Sequence, residues 1–249
     1  MFLKTSFLPT NKVRYAIIDK NAPLQFIENL NKLDITAIFS TKLSNVMQNI
    51  STHPDMQIFH IGDNIIICEP STFYYYNKIL TPLGFSVICG STELSCNYPY
   101  DIAYNVNRIG NFIMHKISHT EKKILDYCRQ DNISILNTKQ GYTKCATCVI
   151  SENAAITADR GIAKILNSNG IDCLLIKEGM VMLENMNYGF LGGCCGLIDK
   201  NLLAFCGKIE NHSNYIDIFN FCKKYSVNII SLYDGMLTDI GSIIPIIQA

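Results

Sequence analysis

The sequence predicts an α/β propeller in which five ββαβ units stand around a ring that the C-terminal strand closes. Three observations carry this reading. Short apolar strands, tight turns and amphipathic helices recur in the same order five times. The strand after each helix begins near Ile35, Phe85, Ile133, Ile171 and Val227, a mean period of about 48 residues. The first unit has no first strand, whereas the tail holds an apolar segment with no helix behind it. Units of this length cannot bury their own apolar faces and must stack on neighbours.

The first repeat reads as a strand over Val13–Ile18, a helix from about Pro23 through Leu24, Ile27 and Leu30, and a strand over 35–39. In the second, strands 57–61 and 64–68 flank Gly62 and Asp63, a pair suited to a hairpin turn. Glu69, Pro70 and Ser71 open its helix, Tyr76, Ile79, Leu80 and Leu83 form the apolar stripe, and Gly84 stops it before strand 85–89. The third repeat places strands at 102–106 and 111–115. Ser118 and Glu121 have the spacing of a capping box, and Ile124, Leu125 and Cys128 face the core. The fourth has strands 145–150 and 154–157, a helix with Ile162, Ile165 and Leu166, and strand 171–176 after Gly170. The fifth has strands 194–198 and 202–206, a helix with Ile216, Phe219 and Cys222, and strand 227–232. Residues 242–247 are then expected to pair with Val13–Ile18, which removes the exposed edge.

Composition narrows the function classes. Twenty-one basic and 21 acidic residues cancel, which gives no electrostatic footprint for nucleic acid or an anionic membrane. No 18-residue apolar run is present, and the first ten residues are too short and polar for a signal peptide, so the expected location is cytoplasmic. In that reducing setting the 11 cysteines read as free thiols. Without a linker-like stretch, residues 1–249 read as a single domain.

A ring of five ββαβ units closed tail to head resembles the pentein fold of the guanidino-group-modifying enzymes. The stretches 100–106 (YDIAYNV), 141–148 (GYTKCATC), 189–196 (GFLGGCCG) and 233–241 (YDGMLTDIG) look most like a branch of that superfamily without an assigned activity. The resemblance implies a nucleophilic cysteine on the closing strand, a histidine in the fourth repeat and carboxylates that grip the guanidinium. This chain departs from the pattern twice: Ser242 follows Gly241 where the cysteine is expected, and Tyr142 and Lys144 stand near the expected histidine. An unactivated serine is much the weaker nucleophile at neutral pH, so turnover of arginine, agmatine or methylarginines at the rate of such relatives is not expected.

First strands converge on a ring's axis, so residues just before each hairpin are the natural lining of a central cavity. By that argument the catalytic candidates are Cys145, Cys194 and Cys195, together with Ser242 at the position of the family cysteine. Asp101, Tyr104, Asn105, Tyr142, Lys144 and Asp239 are the substrate-binding candidates. Lys144 can lower a neighbouring thiol's pKa, and Asp239 can receive a cationic group. Thiol reactivity is expected at Cys145, Cys194 or Cys195 rather than at Cys128 and Cys222 on the helices. Against this stands the use of cysteine as a small core filler.

No metal is expected, because Cys194 and Cys195 are adjacent in a predicted strand and point to opposite faces. No cofactor is expected either: the glycines at 192, 193 and 196 precede a strand rather than open a helix. Asp234 before Gly235 is a turn signal. The partner is then a small polar molecule, amino-acid-like or guanidino-like, bound by a non-standard or degenerate amidino hydrolase or transferase. The alternative is a non-catalytic binding protein of the same fold, a class represented by a ribosome-binding translation factor. Oligomeric state is left open, a homo-oligomer included.

Overall fold

Strands of three to six residues gain little alone, and here each set of three is assembled around one largely buried middle strand. The computed structural model describes residues 1–249. The first repeat holds β1 (Val13–Ile18), α1 (Leu24–Lys32) and β2 (Thr36–Phe39). The second runs through α2 (Pro54–Gln57), β3 (Ile58–Gly62), β4 (Ile65–Cys68), α3 (Phe73–Leu80) and β5 (Ser86–Cys89). The third has β6 (Asn107–Ile109), β7 (Phe112–His115), α4 (Lys122–Gln130) and β8 (Ser134–Asn137). The fourth has α5 (Thr143–Ala146), β9 (Thr147–Ser151), β10 (Ala154–Thr157), α6 (Arg160–Ser168) and β11 (Asp172–Leu175). The fifth has β12 (Cys195–Asp199), β13 (Leu202–Phe205), α7 (Tyr215–Lys224) and β14 (Asn228–Ser231), and the chain ends in β15 (Ile244–Gln248).

These form five three-stranded sheets, each with a middle strand that is antiparallel to one neighbour and parallel to the other. The tail takes the place of the missing first strand: β15 lies antiparallel to β1, with Ala16 opposite Pro245 and Ile17 opposite Ile244. First strands of neighbouring sheets touch in the order β6, β9, β12, β15.

The helices α1, α3, α4, α6 and α7 each hand over to the third strand of their repeat through one left-handed residue: Asp34, Gly84, Asn132, Gly170 and Ser226. The next backbone N–H returns to a carbonyl five residues back, as Ile35 to Leu30, Phe85 to Leu80, Ile133 to Cys128, Ile171 to Leu166 and Val227 to Cys222. That bond and the buried apolar pair on either side of it are the Schellman termination of a helix.

Several boundaries differ from expectation. Residues 102–106 are not a strand: Asn105 and Val106 N–H turn back to Ile102 and Tyr104, and β6 begins only at Asn107. Cys145 lies in the helical turn α5, held there because the Asn105 side-chain oxygen accepts from Lys144 and Cys145 N–H at 2.9 and 3.2 Å. Cys194 likewise ends a 3₁₀ turn over Leu191–Cys194. The Ser118 cap does not form. Glu121 itself caps α4 by accepting from Lys123 N–H at 3.0 Å, while Ser118 turns to His119. On α7, Ile216 and Phe219 face solvent, because the buried face runs through Ile218 and Cys222. No helix is long and apolar enough to cross a membrane.

Candidate functional site

Three segments that precede first strands meet at one place: the turn into α2, the turn α5, and the approach to β15. Pro54 starts α2, which sets His53 just outside the helix and Asp55 in its first turn. Asp55 N–H donates to Gly241 O at 3.3 Å, which ties the second repeat to the tail. Two glycines permit the approach. Gly241 has φ 63° and a side chain there would run into His53; a Cβ on Gly193 would run into the Asp239 carboxylate.

The polar groups form a connected chain. Lys144 Nζ donates to Ser242 Oγ at 2.8 Å and to Gly192 O at 3.2 Å. Ser242 Oγ lies 2.7 Å from Asp55 Oδ2 and 3.0 Å from Gly192 O; with one proton to give, it donates at the shorter contact. Cys145 Sγ donates to the same Asp55 oxygen at 3.0 Å and receives Asn105 Nδ2 at 3.0 Å. Burial, and then the Asp55 charge, push the Cys145 thiol well above its ordinary pKa, so at rest it is a protonated donor.

A cavity of about 270 Å³ opens beside this chain. His53, Cys145 and Asp239 are its buried end, and Met56, Tyr142, Leu183 and Phe190 are among its walls. His53 stands between two carboxylates, with Nε2 3.8 Å from Asp19 Oδ2 and Nδ1 3.7 Å from Asp239 Oδ1. Asp239 accepts from Phe190 and Gly241 N–H at 2.9 and 3.1 Å. Burial raises its carboxyl above the usual range; His53 opposes that shift and Asp55 adds to it.

The ten residues singled out from the sequence divide by position. Tyr142, Cys145 and Asp239 line the cavity. Asn105, Lys144 and Ser242 stand behind Cys145, and Asp101 accepts from the Tyr142 hydroxyl. Tyr104, Cys194 and Cys195 do not line this cavity. The Tyr104 hydroxyl is spent on Thr92 O at 2.7 Å, and the two cysteines are buried in the packing around β12. Burial raises the Cys194 thiol, and Cys148 is raised first by hydrogen bonding with the free thiol of Cys195 and then by burial. Ser242 is 0 % exposed and its oxygen is fully engaged, which leaves no approach for a substrate.

Sequence reasoning passed over His53, Asp55 and the segment 183–188. The signal was present for the first two: His53 and Asp55 hold the same places before β3 that Tyr142 and Lys144 hold before β9. The 183–188 segment carries no periodicity that would mark it.

Five three-stranded α/β sheets in this order, with the tail completing the first, define a pentein-fold protein, the fold of the guanidino-modifying enzymes. Residues 17–244 match the family model described as a family of unknown function (DUF6873), and the chain belongs to that family. No curated protein matches the sequence. Among solved structures, the inosamine-phosphate amidinotransferase of Streptomyces griseus is 11% identical, with a TM-score of 0.58 over 96% of this chain and 97% of that one. A dimethylarginine dimethylaminohydrolase from Pseudomonas aeruginosa, in complex with citrulline, is 8% identical, with a TM-score of 0.55 over 89% and 92%. The agmatine deiminase of C. jejuni is 9% identical, with a TM-score of 0.52 over 92% and 90%.

Proposed function

We propose that this protein binds a small cationic, guanidino-like molecule in the cavity above His53 and Asp239, and that Cys145, not Ser242, is the thiol or hydroxyl that meets it. One observation carries the reading: an acidic group, an imidazole and a thiol share the buried end of one cavity. A carboxylate in a low-dielectric site favours a cation, and the planar fork of a guanidinium suits bidentate pairing with it. The solved amidinotransferases and deiminase of the same fold support that class of ligand.

For chemistry at Cys145 its proton must leave, and Asp55 Oδ2 is placed to take it. A bound cation would favour the thiolate by lowering the raised pKa. Resting protonation of the thiol supports the second reading, a binding protein that does no chemistry. Calorimetric titration with guanidines tests the binding, and assays for urea, ammonia and citrulline separate the readings. Asp239→Asn should weaken binding by about tenfold or more, since hydrogen bonds to charged groups are worth about 1.5–3 kcal/mol. Affinity should also fall as acid protonates Asp239. Binding that ignores Asp239→Asn would sink the assignment.

A further inference from the structure

The cavity carries a second message in its walls. Of the 13 residues that line it, none is lysine or arginine. Lys144, the cation of α5, is turned elsewhere: its ammonium is held by Ser242 and Gly192 and lies 4.9 Å over the Phe7 ring. Met47, Ile50, Met56, Leu183 and Met186 make an aliphatic and thioether surface, beside the rings of Tyr142, Tyr188 and Phe190. The neutral polar side chains are Asn49 and Asn187, and Asn49 already donates to Glu184 O at 3.0 Å.

An α-carboxylate brought into this space would lose its hydration, meet no lysine or arginine, find His53 already held between Asp19 and Asp239, and share the cavity with the Asp239 carboxylate; both the desolvation and the like charge oppose it. An ammonium or guanidinium meets Asp239 and aromatic faces, each of which attracts a cation. Resting on the cavity reading above, we infer that the ligand is a primary amine or guanidine on an apolar body, without a carboxylate: the decarboxylated counterpart of an amino acid rather than the amino acid itself. The volume of about 270 Å³ limits it to a small molecule.

Matched pairs that differ only in the carboxylate test this. Agmatine against arginine, and phenethylamine against phenylalanine, are titrated calorimetrically into the intact protein. Each amine should bind at least about tenfold more tightly than its parent amino acid, because a buried unpaired charge costs more than a buried unpaired neutral group. Met186→Arg, at a half-exposed wall position, should narrow or invert the ratio by giving the carboxylate a partner. Equal or tighter binding of the amino acids to the native protein overturns the inference and leaves the cavity reading standing. If none of the four binds, both are overturned. An amine preference that persists unchanged in Asp239→Asn places the binding elsewhere and overturns the inference as well.

Discussion

Cys145 and Ser242 donate to the same oxygen, Asp55 Oδ2, from 3.0 and 2.7 Å. The approach to the closing strand therefore carries a hydroxyl and the fourth repeat carries a thiol, and both converge on one carboxylate oxygen. Lys144 completes the chain through Ser242, so a buried cation and a buried anion are linked by one hydroxyl. Such a chain is stable only while each member keeps its partner.

Removing the cation should be costly. Lys144→Met is expected to destabilise the protein by about 3 kcal/mol, because it strands the Asp55 charge in the interior. Asp55→Asn added to it should restore more than about 1 kcal/mol, the non-additivity expected of groups in one network. Urea unfolding of Lys144→Met, Asp55→Asn and the double variant measures both quantities; strictly additive losses would show that the two charges do not communicate.

Among the buried thiols, Cys145 should be the one reached through the cavity. Cys96 is exposed and Cys89 half-buried, so these two label first and set the reference rate. After them, a cationic methanethiosulfonate should modify Cys145 faster than an anionic one, as a sulfinate leaves and a mixed disulfide forms. Its rate should still climb past pH 9, because the thiol is held above its ordinary pKa. Mass mapping reads the order, and labelling of Cys194 or Cys195 ahead of Cys145 would count against the cavity assignment.

The repeat was legible because the pairs Leu30/Ile35, Leu80/Phe85, Cys128/Ile133, Leu166/Ile171 and Cys222/Val227 keep one spacing. Their left-handed corner was legible only where it is glycine, at Gly84 and Gly170; Asp34, Asn132 and Ser226 pay a local strain that packing overrides. In the site, Tyr142, Cys145 and Asp239 could be placed near the axis from element order alone. Which cysteines face the cavity could not, since strand alternation was applied to Cys145 and Cys194, both of which lie in helical turns. Those turns are set by partners distant in sequence, such as Asn105 for α5.

Acid should destabilise the fold through buried histidines. Burial lowers His60 to about 4 and His115 to about 3. Each is neutral in the folded chain while the unfolded chain takes up a proton below its ordinary value near 6.5. The stability they preserve is complete above that value and is lost as pH falls towards about 4 and about 3, at roughly 3 kcal/mol for His60 and roughly 5 kcal/mol for His115. Glu121 acts in the same direction. Burial works against its charge, but bonds from Thr92, Lys123 and Ser91 outweigh it and hold the carboxyl at about 2, so its contribution fades below the usual carboxylate range. Unfolding midpoints between pH 7 and pH 4 should fall steadily, and a flat profile would contradict these assignments.

The tail should be indispensable to folding. Residues 242–249 contain β15, whose Ile244 and Ile246 are buried and whose backbone covers β1 from Val13 to Ile17. Gln248 adds a clamp on the N-terminal arm, accepting from Thr10 and Asn11 N–H at 2.7 and 3.0 Å. Deleting these residues exposes the edge of β1 and removes Ser242 from between Lys144 and Asp55, so both apolar burial and the internal charge chain are lost together. The truncated chain is expected to aggregate or to lack a cooperative thermal transition. Circular dichroism and light scattering during a melt read this directly; a shortened chain that melts sharply near the native temperature would show that β15 is an accessory to the first sheet and not its missing strand.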